Sequence, residues 1–435
     1  VSDYLAWLDA HVNLETGVGS APGGSRPPER ALAQFQQLCT MLGSPQTSFP
    51  AILVGGTVGK TSTTMLASGL LHSFGLSTGT YTSPHLIRPN ERIRWNGGPI
   101  PDFDFDEQLR AIANVEPFLD ERPSWFEVMT AAAFQYFSEV AANVAVVEVG
   151  LGGAWDATTL VDAHVVTLTN IGIDHTEYFG DTYQDIADAE AGIIQPQATV
   201  VCGETDTELV ERMRTRPHRE WWQFGSEFDL VADEVAVGGR LVHIVTPEGD
   251  YPDLFLSLHG VHQGRNAAVA LASIEAFLGR PLERELVEEV FGTARVAGRM
   301  EVAGHHPLVV LDGAHNLPGA LALGEALGDA FPSARRRWVV GLLREKDPRE
   351  MLEALGVEAD DAVYATAPPS PRAHDAAVVA EAARALGVED LMTVENPVVA
   401  TQRAIADADP EDLVIVTGSL YLLGPVRGAL VSGAV

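Results

Sequence analysis

The stretch Ala51-Ile52-Leu53-Val54-Gly55-Gly56-Thr57-Val58-Gly59-Lys60-Thr61-Ser62 decides the fold. An apolar run that stops at two glycines reads as a buried strand ending in a turn. Residues 60–74 then place Met65, Leu66, Leu70, Leu71 and Phe74 at helical spacing, with Gly75 as the stop. The order strand, glycine loop, helix predicts a phosphate-binding loop. Its backbone N–H groups turn inward around an anion, and the helix start adds partial positive charge. Lys60 is placed to reach terminal phosphates, and Thr61 or Ser62 to ligate Mg2+. The longer form of this motif has a glycine where the chain has Val54, so the shorter Gly-Thr-x-Gly-Lys-Ser/Thr pattern is the one that fits. An ordinary strand–helix turn is the bland alternative, and the Gly59–Ser62 run weighs against it.

Outward from the loop, strand-like runs at Val144–Val149, Val165–Thr169 and Thr199–Val201 alternate with helical patterns near 126–140 and 182–194. That alternation predicts an α/β fold, a doubly wound domain with a mostly parallel sheet. Residues 226–258 read as β-hairpins on the edge of that domain, and helices follow at about 262–277 and 282–291. After Gly298 a second series begins, with strands at Leu308–Leu311, Trp338–Leu342, Ala362–Thr366 and Leu413–Thr417. Helical stretches near 318–329, 348–355, 374–386 and 398–407 separate them. The expected organisation is a P-loop domain over residues 1–297 and a smaller Rossmann-like α/β domain over 298–435. Residues 1–49 read as helix followed by loop, with a Gly/Pro/Ser stretch at Gly17–Pro28.

Bulk properties narrow the function. A chain of 435 residues exceeds one ordinary domain. A net charge of −32 repels nucleic acid and anionic membranes, so neither is an expected partner. A phosphate site in such a field needs local cations. Of 28 basic residues only Lys60 and Lys346 are lysines, which leaves 26 arginines and marks two places where a compact ammonium is kept. Cys39 and Cys202 lie far apart and suggest neither a disulfide framework nor a zinc site. No apolar run approaches the ~18 residues of a membrane span. The first ten residues lack the pattern of a signal peptide. A cytoplasmic monomer is the expectation.

Polar residues cluster where strands end. Glu148 closes the run Val144–Val149, at the edge where open α/β sheets bind ligands, and suits Mg2+ beside a phosphate loop; a solvated acid is the alternative. Asp174 and His175 follow the next strand in the same way, as candidates to complete a metal site. Tyr81–Leu86 and Glu91–Ile93 form another polar loop, with Ser83 as a candidate metal ligand and the rest facing an organic acid. In the second half Leu311–Asn316 ends a strand, and Arg299 lies at the junction. A second domain closing over the first brings these groups to a nucleotide or an incoming amine and excludes water.

Together these pieces resemble the folylpolyglutamate synthase/dihydrofolate synthase family, within the Mur-ligase superfamily. The resemblance runs over nearly the whole chain: Gly56–Ser62, Thr82–Leu86 with Glu91–Ile93, Trp125–Thr130, Glu148–Gly153, Trp155–Thr158, Ile171–His175, His262–Asn266, Gly298-Arg299, Asp312–Asn316, Lys346-Asp347, Pro369–Ala373 and Thr417–Tyr421. It implies an ATP-dependent ligase that converts the carboxylate of dihydropteroate or a folate to an acyl phosphate, which the amino group of L-glutamate then attacks. It further implies Mg2+, in two sites, with Ser83, Glu148 and His175 as metal ligands. Gly56, Thr57, Gly59, Lys60, Thr61 and Ser62 would hold phosphates, and Asn266, Arg299, Asp312 and His315 would contact ATP or the transferring group. Ser83, His85 and Phe126 would face the acid. Lys60, Glu148, His175, Glu190 and His315 are the implied catalytic set.

Four positions depart from the family pattern. Val58 replaces Asn, Ala154 replaces Arg and Thr159 replaces Asn. The family's Glu-Lys-Ala-Gly-Ile motif reads Ala189-Glu190-Ala191-Gly192-Ile193 here. Its lysine is normally carbamylated, so Glu190 would supply a carboxylate directly, on a shorter arm; the alternative is a helix residue without a metal role. These departures keep two other readings open: a diverged ligase for another acid and amine, and a nucleotide-binding paralogue without catalysis.

Overall fold

The computed structural model describes residues 3–13, 28–174, 176–332 and 335–431. The expected loop at 17–27 therefore lies outside the described residues. The "helix followed by loop" reading of residues 1–49 meets two helices, Asp3–Asp9 and Pro28–Met41.

The first sheet contains β1 (Pro50–Gly55), β2 (Thr78–Tyr81), β3 (Ile93–Trp95), β4 (Gly98–Pro99), β5 (Val144–Glu148), β6 (Asp162–Leu168), β7 (Thr199–Cys202) and β8 (Glu220–Gln223). Their order is β4-β3-β2-β5-β1-β6-β7-β8. From β2 to β8 every pairing is parallel, and only the β2–β3 and β3–β4 pairings are antiparallel. The strands are apolar on both faces because both are covered. Along β1, Ala51 and Leu53 pack toward the helix Trp125–Glu139, whereas Ile52 and Val54 pack toward Lys60–Ser73 and Val261–Leu278, as the alternation of side chains requires.

The hairpin region forms its own antiparallel sheet, β9 (Asp229–Ala236), β10 (Gly239–Val245) and β11 (Asp250–Leu256), in the order β11-β10-β9. It is separate from the first sheet and lies at the edge of that part of the molecule, where the sequence reading placed hairpins. It covers the far side of the helix Val261–Leu278, whose Ala-rich surface is thereby buried on nearly all sides. A buried Glu275 on that helix, bonded to Thr246 and Tyr251, fastens the small sheet to it.

The third sheet orders β12 (Glu301–His305), β13 (Leu308–Leu311), β17 (Leu413–Thr417), β14 (Arg336–Val340), β15 (Ala362–Ala365) and β16 (Asp390–Thr393) as β12-β13-β17-β14-β15-β16. Only β12 is antiparallel. The chain is thus α/β, with a large, mostly parallel sheet followed by a second, smaller α/β sheet. Among the described residues no helix is long and apolar enough to cross a membrane.

Every strand named as such in the sequence reading is present. The short strand Thr78–Tyr81 escaped it, although it is fully buried beside β5. Its Thr-Gly-Thr-Tyr composition carries no apolar period, and only its neighbours make it a strand. The edge strands Glu220–Gln223, Glu301–His305 and Asp390–Thr393 escaped for the same reason.

Candidate active site

Because β2, β5, β1 and β6 are parallel, their C-terminal ends open on one edge, and the polar loops meet there. The glycine loop leaves β1, and the helix Lys60–Ser73 begins directly after it. The first N–H groups of that helix have no acceptor within the helix and face the loop's concavity.

The loop is held from outside by residues after β6. Thr57 N–H donates to Asn170 O at 2.9 Å, and Val58 N–H to Asn170 Oδ1 at 3.0 Å. Asn170 Nδ2 and Thr169 Oγ1 donate back to Val58 O at 3.1 and 2.7 Å. Thr57 Oγ1 accepts from Gly172 N–H at 2.8 Å. Val58 thus contributes only backbone to this bracket, and Asn170 supplies its amide side chain. Sequence reasoning missed Asn170 and Thr169; their position directly after a parallel strand was the available signal. Lys60 Nζ lies back on Gly56 O at 2.6 Å and Thr57 O at 3.3 Å. Gly59, at φ +86°, abuts Asn266 of the helix Val261–Leu278, whose Nδ2 donates to Gln263 Oε1 at 3.1 Å.

Glu148 is buried at the end of β5, 2% exposed. One carboxylate oxygen accepts from Thr61 Oγ1 at 2.8 Å and the other from Ser83 N–H at 3.1 Å. Burial pushes its carboxyl above the ordinary range, opposed by Lys60, those two donors and Arg299. Ser83 therefore reaches Glu148 through its backbone. His175 lies outside the described residues. Its neighbour Asp174 accepts from Asn316 Nδ2 at 2.5 Å and pairs with Lys346 Nζ at 3.3 Å. Asp174 was expected to help complete a metal site; here it ties the loop after β6 to the second half of the chain, and so absorbs Lys346. Among the described residues no three His, Cys, Asp or Glu side chains converge as a metal-holding group.

Glu190, at the end of the helix Tyr183–Glu190, turns its carboxylate onto the phosphate loop. Gly56 N–H donates to Glu190 Oε2 at 3.0 Å. Burial raises this carboxyl too, opposed by Lys60 and the Gly56 N–H and reinforced by Asp156. Of the other departures, Thr159 Oγ1 donates to Asp156 O at 2.7 Å, and Ala154 is exposed.

Toward β2, Arg92 Nε donates to His85 Nδ1 at 3.0 Å, and its guanidinium lies 4.5 Å over the Trp125 ring. A guanidinium only donates, so His85 Nδ1 must carry the lone pair, which leaves the hydrogen of the neutral ring on Nε2. Phe126 lies against Gly150, with Tyr81 6.2 Å away.

From the second half, Arg299 is close enough to influence Glu148, Asp312 and His315. Asp312 accepts from Met300 N–H and Ala314 N–H, each at 2.8 Å, and so pins the Arg299 segment to the end of β13. Burial raises the Asp312 carboxyl, opposed chiefly by Arg299. His315 Nδ1 faces Gly313 O at 2.8 Å and must donate to it, since a carbonyl only accepts. Burial lowers the His315 imidazole, leaving a neutral ring with a lone pair on Nε2. The structure thus gathers Gly56, Lys60, Thr61, Ser83, Glu148, Glu190 and Arg299 at one point. His85 with Phe126 flanks it on one side, and Asp312 with His315 lies on the other. The arrangement suits polyanion binding beside a water-poor carboxylate.

Comparison with known proteins gives the same outline. The model of the Mur ligase middle domain matches residues 121–274, and that of the Mur ligase glutamate ligase domain matches residues 298–420. A dihydrofolate synthase/folylpolyglutamate synthase of Mycobacterium tuberculosis is 35% identical, over 91% of this chain and 89% of the relative. The structure of Mycobacterium tuberculosis folylpolyglutamate synthase complexed with ADP superposes with a TM-score of 0.87 at 35% identity, covering 98% of this chain and 99% of that one. A bifunctional folylpolyglutamate synthase/dihydrofolate synthase of Yersinia pestis, complexed with AMPPNP and Mn ion, gives 0.84 at 27% identity over 99% and 98% of the two chains.

Proposed function

Since the chain belongs to the dihydrofolate synthase/folylpolyglutamate synthase family of Mur ligases and is an ATP-dependent, amide-forming ligase, we propose that it joins dihydropteroate or a folate to L-glutamate at the site built around Lys60 and Glu148. The observation that carries this placement is the chain Thr61 Oγ1–Glu148–Ser83 N–H beside Lys60, with Arg299 reaching in from the second half. The division into a nucleotide domain over 1–297 and a closing domain over 298–435 belongs to the same proposal.

The residues fit the nucleotide and the metal. Gly59, Lys60, Thr61 and Ser62 offer the backbone of the helix start and a compact cation, while Gly56 and Thr57 shape the loop through their bonds to Glu190 and Asn170. Lys60 leaves Gly56 O to meet the terminal phosphates and spreads the charge of the moving phosphoryl group. Glu148 would hold Mg2+ together with Ser83 and His175, and Glu190 would serve a second ion. When bound, the metal screens the phosphate oxygens and so favours approach of an anionic acid. His85 Nε2–H and Phe126 orient the acid. Asn266 buttresses the phosphate loop, and Asp312 keeps Arg299 aimed at the transferring group. His315 Nε2 takes a proton from the incoming ammonium, which frees the amine for attack on the acyl phosphate.

An ADP-release assay with ATP, dihydropteroate and glutamate, omitting each in turn, tests the reading. Release that needs all three supports it. Release with other acid–amine pairs only would redirect it to a diverged ligase, and nucleotide binding without turnover would end it.

A further inference from the structure

The loop from Ser83 to Arg92 belongs to the first sheet by chain order, yet it is seated on the second half of the molecule. Leu86 packs with the cluster that contains Leu422, Leu423 and Val426. Opposite it lies the helix Leu420–Val431, which carries Gly424 and Gly428 one turn apart. Glycine inside a helix is unfavourable relative to alanine, so each position invites a reason.

For Gly424 the reason is contact. A Cβ there would lie 2.0 Å from Leu86 O and 3.1 Å from its carbonyl carbon. Those are backbone atoms, which cannot rotate aside. A Cβ at Gly428 would meet only Ile87 Cδ1, at 3.9 Å, an ordinary contact.

The loop transmits such a push because it is internally tied. The Glu91 carboxylate accepts from Leu86, Ile87 and Arg88 N–H at 3.1, 3.3 and 3.0 Å. Thr82 N–H donates to Arg92 O at 2.9 Å. At its near end the same loop places Ser83 N–H on Glu148 at 3.1 Å and His85 against Arg92. A few residues thus separate a contact with the closing domain from a hydrogen bond to the central carboxylate.

We propose that Gly424 is a positioning residue: by letting the helix Leu420–Val431 seat against Leu86 O, it makes docking of the second domain set the Ser83–Glu148 hydrogen bond and the orientation of His85. The acid side of the site is then complete only when the two parts are docked, whereas the phosphate loop is built by the first part alone. This rests on the placement of Glu148 and His85 in the proposed ligase site.

The test uses the full chain and the variants G424A, G428A and L86A. The two glycine variants raise helix propensity equally, but only the first meets the loop. Amide hydrogen exchange is read over residues 83–92, with the ADP dissociation constant and the KM values for ATP and dihydropteroate. In G424A, exchange at Ser83 and Leu86 should quicken at least about tenfold, as expected of a locally loosened loop. Its KM for dihydropteroate should rise at least about tenfold while ADP binding stays within about twofold, a split that separates the acid side from the nucleotide side. G428A should match the unaltered chain in every reading, and L86A should follow G424A to a smaller extent. Unchanged exchange and unchanged acid KM in a folded G424A overturn the proposal, as does an equal effect in G428A. If G424A does not fold, L86A decides whether seating of the loop sets the acid side, because it withdraws the Leu86 side chain from the cluster of Leu422, Leu423 and Val426 without adding an atom. An unaltered chain that fails to turn over dihydropteroate defeats the substrate reading, and the exchange comparison still decides the role of Gly424.

Discussion

Gly59→Ala isolates how the phosphate loop is built. Gly59 sits at φ +86°, where a Cβ costs about 1–2 kcal/mol. The added methyl would also lie 2.4 Å from Asn266 Oδ1. Asn266 must turn away and lose its 3.1 Å bond to Gln263, which costs about 1 kcal/mol more. The nucleotide-free loop relaxes out of this strain, and nucleotide binding must restore the wrapped geometry. The combined penalty of about 2–3 kcal/mol therefore appears as ADP affinity weakened roughly 30- to 150-fold. Isothermal titration with ADP measures it directly. Repeating the substitution in an Asn266→Ala background leaves only the backbone strain, so the penalties should differ between backgrounds by about 1 kcal/mol. Equal penalties in the two backgrounds would refute the contact argument. An affinity unchanged within about threefold in the single variant would refute the premise that the loop must keep this shape.

Glu148→Gln should lower turnover at least about 100-fold, because the amide lacks the negative charge proposed to hold Mg2+, while metal-free ADP binding survives, since its oxygen still accepts from Ser83 N–H and its nitrogen donates to Thr61 Oγ1; steady-state rates and titration without divalent ions check both. Glu190→Gln should raise the melting temperature of the nucleotide-free protein, and more at pH 8 than at pH 5. A carboxyl raised above its ordinary 4.5 binds more protons folded than unfolded, so its contribution is intact below that value and is lost as pH rises through the folded pKa. A smaller gain at pH 8 than at pH 5 would contradict the sign, and full activity of Glu190→Ala would remove this residue from the metal proposal. Asp412→Ala should strip a buried guanidinium of its 2.6 Å partner, at a cost of about 3–5 kcal/mol, because Arg337 and Asp412 are both shielded from water. Differential scanning calorimetry should show a transition lowered by at least about 5 °C, and an unchanged thermogram would count against it.

Local pattern was enough for the parallel α/β series and the phosphate loop. A strand buried on both faces must be a continuous apolar run, and a loop that wraps an anion must be rich in glycine; both constraints act on neighbours in the chain. Of the two lysines, Lys60 lies on the loop's Gly56 carbonyl and Lys346 on Asp174. Tertiary structure alone decided what each polar side chain meets. Glu148 read as an acid ending a strand and Glu190 as a carboxylate in place of the family's lysine, but only the structure bonds the first to Thr61 and Ser83 and the second to Gly56. Asp174 binds Asn316 and Lys346 across the sheets. Thr78–Tyr81 became a strand only through its neighbours, and the Ser83–Arg92 loop came to rest on a helix more than three hundred residues later. Propensity and periodicity are properties of adjacent residues, whereas burial, shared hydrogen bonds and domain docking depend on contacts between residues far apart in sequence, which no local window contains.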